Sequence, residues 1–413
     1  MITDIKAGVL SLDKEKKNSI LLAVVVMFLL LFTYPIIRST VTAIFLNDFG
    51  AKKTPLVWLY SIAGLSVAIF IYNKFQIKYS IQKLYIITAS LTFLFFCGSI
   101  YALQLGIKWW AFPLFVWKEI YIVLLIHLTL GYINSLLDEK QAKVLYGPLG
   151  AISSVGGILG GLLTSKLTYS FKSPTILFIG AFIMLLSTIF ISMTTKKFSL
   201  SKNKDHRGKE SPIHSIVEVK KYIFLLAGLI LLSQFVINLA NFKFNILFNE
   251  LVPLKIDKTR NLGKIYAAIN LVSLLTQIFI IPFAFQMYKI VTVHKFIPIF
   301  YGVVAFFGLF IGSGSLLPVA LAFILFKVLD YSLFSAAKEI LYFPLDARQK
   351  YGAKYIVDMI VYRFGKGLIS LLFVFFQGPL FVNTLLIISL LAWLVCLYIF
   401  EPESNKLHLK SGS

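Results

Sequence analysis

Seven basic residues lie inside or at the ends of long apolar stretches, where charged side chains are rare. An ionised side chain near the centre of a bilayer costs about 2.5 to 3.5 kcal/mol, so each needs a partner, a water-filled cavity or a nearby interface. The cations outnumber the acids of the same stretches, and this surplus favours a positive cavity suited to an anion. The basic residues are Arg38, Lys118, Lys243, Lys327, Lys338, Arg363 and Lys366, and the acids are Glu119, Asp330, Glu339 and Asp358.

Some of these charges have a candidate partner at helical spacing. Lys327 and Asp330 are three residues apart, and Asp358 precedes Arg363 by five residues and Lys366 by eight. Side chains at such spacings share a helix face closely enough for partial compensation. The sequence therefore predicts that part of the buried charge is neutralised along single helices.

Two cations lack an acid in their own stretch. Arg38 has none, and its bland interpretation is snorkelling of the side chain to the lipid headgroups. Lys243 has only asparagines nearby, at positions 238, 241 and 245. The functional alternative is phosphate binding, in which arginine uses a bidentate fork and lysine acts as a point charge.

The elements that must position these residues are membrane-spanning helices. The chain has 413 residues, of which 58% are hydrophobic and 14% charged, and its mean hydropathy is +0.85. Apolar stretches of about 17 to 25 residues suffice to cross a bilayer, and their uniform apolarity argues against a membrane barrel. An all-α fold is expected, with about twelve spans near 19–46, 55–73, 84–104, 111–136, 144–167, 174–194, 222–248, 265–286, 294–312, 316–338, 354–377 and 380–400.

The polar segment near the midpoint divides these spans into six plus six. The predicted borders are an N-terminal half at 1–198, a basic cytoplasmic linker at 199–221, a C-terminal half at 222–400 and a polar tail at 401–413. Most Lys and Arg fall on the side that holds both termini and the linker, so both termini are expected in the cytoplasm. The bilayer is expected to be the cell's inner membrane, and cytoplasmic loops that face anionic lipid headgroups are expected to account for most of the +22 net charge.

Two segments are punctuated by glycine or proline. Residues 147–161 place glycines at 147, 150, 156, 157, 160 and 161 along one span, a pattern that allows helix backbones to approach closely. Residues 335–350 end a span in a charged, Pro-interrupted turn. We expect Lys338, Glu339, Asp346, Lys354 and Asp358 to form a gating network at the cytoplasmic end of the spans rather than the substrate site.

Signatures of an enzyme are missing from the sequence. HExxH, GxSxG and kinase motifs do not occur, and neither does a cluster of Cys and His. Cys97 and Cys396 lie in apolar runs, so no disulfide framework is expected, and His127 is expected to hydrogen-bond a neighbouring helix. The sequence predicts no enzymatic activity, no catalytic residue, no cofactor, no metal and no nucleic-acid partner.

The segment Ala337–Gly367, AKEILYFPLDARQKYGAKYIVDMIVYRFGKG, carries a family resemblance. It resembles the ATP/ADP translocases, the nucleotide transporters of plastids and intracellular bacteria, in their KEMAYIPLD element and the KGKxxIDxxxxRxGK element that follows. The resemblance implies twelve spans, a two-half architecture like that of major facilitators, and a nucleotide or related phosphate compound as substrate. The matching positions are Lys338, Glu339, Tyr342, Pro344, Leu345, Asp346, Lys354, Asp358, Arg363, Gly365 and Lys366.

Weaker matches extend over most of the chain. PIIRSTVTAIFLNDFGAKKTP is similar to the family's R-x-x-K-D segment with Arg38 aligned, and EKQAKVLYGPLG is similar to its E-A-K-R-F-Y-x-L-F-G. The family's implicated acid of the fourth span corresponds to Glu119, and its lysine of the eleventh span to Lys366. Two positions depart from the family, since its first-span lysine is Val41 here and its seventh-span glutamate is Asn241.

The leading hypothesis is an alternating-access carrier, working by exchange or symport, whose halves rock about a midplane site. The predicted substrate-binding residues are Arg38, Glu119, Lys243, Arg363 and Lys366. Its partners are a small anion, with a nucleotide implied by the resemblance, and the lipid bilayer, and a monomer is expected. Two alternatives stay open: a proton-coupled major-facilitator carrier for another small organic anion, with Glu119 or His127 titrating, and a membrane binding protein that does not transport.

Overall fold

The computed structural model describes residues 14–76, 78–137, 139–194 and 214–411. Across these ranges the chain is helical with short turns, and no strand occurs in them. The prediction of an all-α polytopic protein is confirmed. The twelve helical runs are α1 Lys14–Phe49, α2 Thr54–Phe75, α3 Ile81–Gln104, α4 Ala111–Leu136, α5 Glu139–Leu167, α6 Ser173–Ser192, α7 Lys220–Leu251, α8 Lys255–Met287, α9 Ile290–Gly314, α10 Leu316–Ile340, α11 Ala347–Lys354 continued by Tyr355–Val361 and Tyr362–Phe375, and α12 Pro379–Ser411.

Eleven of these runs are long and apolar enough to cross a membrane, within the ranges that the structure describes. The run that falls short of this criterion is α11, although it is helical from Ala347 to Phe375. Its charged residues, among them Asp358, Arg363 and Lys366, interrupt the apolar stretch. The expected twelfth span is therefore present as a helix whose polar content sets it apart.

The helices group into two compact units. The described part of unit 1 comprises residues 14–49, 60–194 and Val252–Leu271, and that of unit 2 comprises residues 50–59, 214–251 and 272–411. The beginning of α2 thus groups with unit 2, and the first five turns of α8 group with unit 1. The predicted linker lies outside the described residues from 199 to 213, and the domain borders stay a prediction.

Glycines bring α5 close to two other helices of unit 1. A Cβ atom added at Gly160 would lie 1.8 Å from the carbonyl oxygen of Phe32 in α1, and one at Gly161 would lie 2.6 Å from that of Gly263 in α8. Only glycine allows backbones this close. The predicted tight packing of this segment is confirmed at positions 156, 157, 160 and 161, whereas Gly150 meets nothing within 4 Å.

Unit 2 contains four stretches of π-helix, one in each of α8 to α11, namely Thr276–Ile280, Ala305–Phe310, Asp330–Phe334 and Tyr355–Val361. A π-helical turn holds an extra residue, breaks the regular ladder of hydrogen bonds and is frequent at functional sites. Two of these stretches contain an acid, Asp330 and Asp358. In the helices of unit 2, each π-helical turn therefore changes the direction in which the following side chains point.

The predicted polar tail at 401–413 is not a separate segment where the structure describes it. Helix α12 continues through Pro402 to Ser411. Glu401 pairs with Lys295 of α9 at 2.6 Å, and Glu403 pairs with Lys221 of α7 at 2.6 Å. A proline inside a helix does not necessarily end it, and these ion pairs help to hold the last turns against unit 2.

Candidate functional site

Arg38 lies on α1 of unit 1, 24 residues after the start of the helix at Lys14, and its side chain is partly buried. Its guanidinium carbon is 4.3 Å from the ring centroid of Tyr266 in α8 and 5.4 Å from that of Tyr34, one turn earlier in α1. An arginine over aromatic faces is held in place by electrostatic attraction and keeps its full charge. Arg38 is thus a fixed cation between two helices of unit 1.

Glu119 lies on α4 of unit 1, and its carboxylate is 2.8 Å from the ammonium of Lys118. Lys118 is 1% exposed and Glu119 24% exposed. The Lys118 ammonium also lies 3.4 Å from Thr42 Oγ1 of α1 and 3.5 Å from the Phe115 ring centroid. The candidate acid therefore sits beside a cation of its own helix that sequence reasoning did not place in the site.

The Lys118 ammonium lies next to the first-span position at which the family resemblance predicts a lysine. That position is Val41, which is fully buried. The hydroxyl oxygen of the next residue, Thr42, accepts a hydrogen bond from the Lys118 ammonium of α4. Adjacent residues on a helix point about 100° apart, so the Lys-Glu dipeptide alone gave no reason to expect an ion pair. Only the packing of α1 against α4 turns both side chains to one place.

Arg363 and Lys366 lie on α11 in unit 2, three residues apart and therefore on one helix face. Both side chains are partly buried. Between them in sequence, Gly365 packs on α7, where an added Cβ would lie 3.0 Å from Gln234 Cβ. The Lys366 ammonium lies 5.5 Å from the ring of Trp58, which is 2% exposed. Close packing at the glycine fixes the depth and rotation of this cationic face.

Lys243 lies on α7 of unit 2, but its contacts differ from those of the α11 cations. Its ammonium donates to Asn383 Oδ1 of α12 at 2.5 Å and lies 3.9 Å from the ring of Phe310 in α9. The preceding residue, Phe242, stacks on Phe373 of α11 at 4.3 Å. Lys243 therefore faces α9 and α12, and the asparagine that it contacts comes from α12 rather than from the three nearby in sequence.

Lys338 and Asp358 of the predicted gating network form an ion pair in unit 2. The Lys338 ammonium of α10 is 2.7 Å from Asp358 Oδ1 of α11, with 15% and 25% of the side chains exposed. Tyr342, in the turn between the two helices, donates to the same oxygen at 3.1 Å. Burial, together with the Asp358 carboxylate, raises the pKa of Tyr342, so its hydroxyl remains a donor. Asp358, which lies at helical spacing from Arg363 and Lys366, thus pairs with Lys338 of the preceding helix.

The other members of that network lie around the same turn. Lys354 pairs with Glu339 at 2.6 Å, and both side chains are more exposed than the Lys338 pair. Asp346 Oδ1 accepts from the backbone N–H of Gln349 at 2.8 Å, and Gln349 Oε1 accepts from the Asp346 N–H at 3.3 Å. This reciprocal capping begins the first turn of α11. Two cross-helix ion pairs and one helix cap therefore hold the α10–α11 turn together.

Further charged and polar groups fall elsewhere in the described residues. Lys327 and Asp330 of α10 are both buried, and the Lys327 ammonium lies 5.5 Å from the ring of Tyr331. His127 is exposed on α4 rather than buried against a neighbouring helix. Within the described ranges no group of three or more His, Cys, Asp or Glu side chains could hold a metal ion. The described cysteines, 97 and 396, are free.

The chain is similar along most of its length to two carrier proteins. It is 24% identical to ADP,ATP carrier protein 3 of Rickettsia bellii, over 96% of this chain and 94% of that protein. It is 26% identical to ADP,ATP carrier protein 3 of Rickettsia felis, over 86% of each. The chain matches no protein-family profile. The resemblance seen in the α10–α11 segment thus extends across the chain at low identity.

Solved structures share the fold. The nucleoside transporter NupG, in a variant form, matches with a TM-score of 0.67 at 14% identity and covers 94% of this chain and 99% of that one. A bacterial homologue of the iron transporter ferroportin, in an inward-facing state, matches with a TM-score of 0.62 at 13% identity, over 92% and 98% of the two chains. The fold is therefore that of major-facilitator-type transporters, as expected.

Proposed function

We propose that this chain is an alternating-access membrane transporter whose substrate is a phosphate-bearing anion of the nucleotide type. The observation that carries the proposal is the cationic face of α11, which presents Arg363 and Lys366 on one side of the helix, with Lys366 near Trp58. The names of the two Rickettsia relatives, ADP,ATP carrier proteins, support the substrate class. The transporter fold supports the mode of action.

Phosphate oxygens would be bound by the two α11 cations of unit 2, and Arg38 of unit 1 is likewise proposed to bind phosphate. Arg363 and Arg38 offer planar forks of donors, and Lys366 adds a compact charge. The rings beside Arg38 and Lys366 restrict the movement of these side chains. Glu119 is proposed to balance the positive charge of the site when no substrate is bound. Its carboxylate is paired with the Lys118 ammonium at 2.8 Å.

The ion pairs at the α10–α11 turn are proposed to hold one conformation of the carrier. Lys338 with Asp358, and Lys354 with Glu339, join the end of α10 to the start of α11. Conformational change in a carrier breaks one set of contacts and makes another, so such pairs alter rates without touching substrate. The proposal includes a cytoplasmic position for this turn and for both termini, in the cell's inner membrane, and a monomeric carrier.

A proton-coupled carrier for another organic anion is the second candidate. Its specific support is the buried acid Asp330 in a π-helical turn of α10, next to the buried Lys327. A carrier that uses such a group takes up substrate with a proton, so collapse of the proton gradient stops accumulation. Insensitivity of exchange to an uncoupler would favour the nucleotide exchanger.

Uptake of labelled nucleotides into proteoliposomes tests the proposal. Lys366→Ala and Arg38→Ala are each expected to weaken apparent affinity by about thirty-fold to several thousand-fold, since losing one partner of a desolvated charge contact costs about 2 to 5 kcal/mol. Lys289→Ala, at an exposed lysine just before α9, is the matched control and should transport normally. Near-normal affinity of both variants for every nucleotide that the wild type binds would rule the anion site out. Binding without flux would indicate a non-transporting protein.

A further inference from the structure

Unit 2 contains a cavity of about 290 Å³ that is separate from the α11 cationic face. It lies between the ends of α7 and α9 and the start of α12, and it includes Gln377 in the turn before α12. Both charged and apolar side chains line it. Its polar lining residues are Lys243, Glu250, Ser313, Gln377 and Asn383, with apolar walls that include Phe310.

Lys243 lies close to the boundary between acyl chains and headgroups at one end of α7. Helix α7 has 32 residues, about 48 Å, whereas the hydrocarbon core is about 30 Å thick, so a centred helix projects about 9 Å at each end. Lys243 precedes the end of the helix at Leu251 by eight residues, or about 12 Å. Its ammonium therefore lies near the boundary between acyl chains and headgroups, at the membrane face opposite the end where α12 finishes.

The inner end of the cavity can bind a phosphate. The Lys243 ammonium has three N–H donors, and it uses one on Asn383 Oδ1 while the Phe310 ring faces it at 3.9 Å. Because Asn383 Oδ1 accepts from the lysine, the amide nitrogen is the donor that this side chain can offer to a ligand. An ammonium and an amide nitrogen at one place form a donor pair for phosphate oxygens.

The outer end of the cavity carries the opposite charge. Glu250 is exposed, and it lies seven residues after Lys243 on the same face of α7, about 10 Å further along the axis. An acid would repel a simple anion, but it would attract a cationic group attached to the phosphate. A zwitterion with its phosphate inward and its ammonium outward satisfies both ends.

The surroundings of the cavity are apolar as well as charged. Leu380 follows the lining residue Pro379 and is 81% exposed, and Ile311 follows Phe310 and is 65% exposed. Such large apolar side chains on a membrane helix face acyl chains. A bound molecule with a charged head in the cavity could thus continue into lipid along α9 and α12.

We propose that this cavity binds the headgroup of a phospholipid with a primary ammonium group, as in phosphatidylethanolamine. The phosphate lies at Lys243 and Asn383, and the ammonium lies at Glu250. Primary ammonium groups donate hydrogen bonds to a carboxylate, whereas the quaternary ammonium of phosphatidylcholine has no N–H to donate. This role for Lys243 replaces the substrate-binding role predicted for it from the sequence, so the lipid site is independent of the substrate that the carrier moves.

Lipid binding to the purified full-length protein tests the proposal, with native mass spectrometry of the delipidated protein titrated with lipids of identical acyl chains. The wild type is expected to bind phosphatidylethanolamine at least about tenfold more tightly than phosphatidylglycerol or phosphatidylcholine, a difference of about 1.4 kcal/mol. Lys243→Gln should lose that tight binding by a similar factor. Glu250→Gln keeps the phosphate donors, so it should instead lose the preference over phosphatidylglycerol.

The control is Lys289→Gln, which removes one exposed lysine outside this cavity and should leave all three affinities unchanged. Equal or tighter binding of phosphatidylglycerol by the wild type would overturn the proposal, and so would an unchanged preference in Glu250→Gln. Thermal protection by inorganic phosphate equal to that by phosphatidylethanolamine would identify a free-anion site instead. If Lys243→Gln does not fold, the Glu250 variant still decides between these outcomes. Flux measurements are not needed, so the result stands apart from the proposed transport activity.

Discussion

The two units handle the same kinds of residues in different ways. In unit 1 the buried Lys118 pairs with Glu119 next to it in sequence, and α5 is packed against backbone at Gly160. In unit 2 the ion pairs Lys338–Asp358 and Lys354–Glu339 join different helices, and four helices contain π-helical turns. Unit 1 also has an ion pair between helices, Lys255 of α8 with Asp48 of α1 at 3.6 Å, so the contrast lies in the glycine packing of unit 1 and the π-helical turns of unit 2.

This difference suggests that unit 1 is the stiffer scaffold and unit 2 the more adaptable part. Close-packed backbone has discrete arrangements and little freedom to deform. A π-helical turn can pass to regular α-helix by a shift of one residue, which rotates the side chains after it. Four substitutions test whether the two units differ in this way.

Gly160→Ala should have the largest effect, because its Cβ would lie 1.8 Å from the Phe32 carbonyl and would force α1 and α5 apart. Overpacking commonly costs about 1 to 3 kcal/mol, and a clash with backbone belongs at or above the upper end. Thermal unfolding in detergent and the yield of monodisperse protein measure it. Gly150→Ala, in the same helix with nothing within 4 Å, should be neutral or stabilising. Equal stability of the two variants would mean that unit 1 is not stiff at this contact.

Lys338→Asp should lower the maximal transport rate by about tenfold or more, because it places two acids together where Asp358 now has a 2.7 Å partner. The double variant Lys338→Asp, Asp358→Lys restores opposite charges and should recover part of the rate. Initial rates over a range of substrate concentrations separate rate from affinity. A large loss of affinity at unchanged maximal rate would move this pair from the gate into the substrate site.

Gly365→Ala in unit 2 should cost less than Gly160→Ala, about 1 kcal/mol, because its nearest neighbours are side-chain atoms of Gln234 and Leu231 at 3.0 and 3.2 Å. The Leu231 methyl can move by side-chain rotation, whereas the Gln234 Cβ moves only with the backbone of α7, by the few tenths of an ångström that a 3.0 Å contact requires. The same unfolding assay applies, with Gly98→Ala, which meets nothing within 4 Å, as control. A cost as large as that of Gly160→Ala would remove the contrast in stiffness.

Glu339→Lys should have the smallest effect, a few-fold decrease in maximal rate with little change in affinity. Its pair with Lys354 is 39% to 47% exposed, and solvent-exposed pairs contribute about 0.2 to 1 kcal/mol. Adding Lys354→Glu to the same chain should restore the rate, and the double-mutant cycle gives the coupling energy. A tenfold decrease in the maximal rate would show that this pair contributes more than its solvent exposure implies.

Much of the architecture could be predicted from the amino-acid sequence. Apolar stretches of membrane-spanning length predicted the helices, because lipid leaves no other way to satisfy so many backbone groups. Glycine spacing predicted the close approach of α5, and the motif from Lys338 to Lys366 predicted both the relatives and a charged turn. These signals are local, or are carried by spacing along one helix, so they can be read without coordinates.

Tertiary structure alone decided which groups meet. Asn383 contacts Lys243 from 140 residues away, and Tyr266 covers Arg38 from another helix. Sequence analysis placed Lys338 and Asp358 in one predicted network and also offered Asp358 to the cations of its own helix, and the packing of α10 against α11 brings Lys338 within 2.7 Å of it. The physical reason is that a buried charge takes whichever partner the packed helices place within about 3 Å, and sequence distance has no part in that choice.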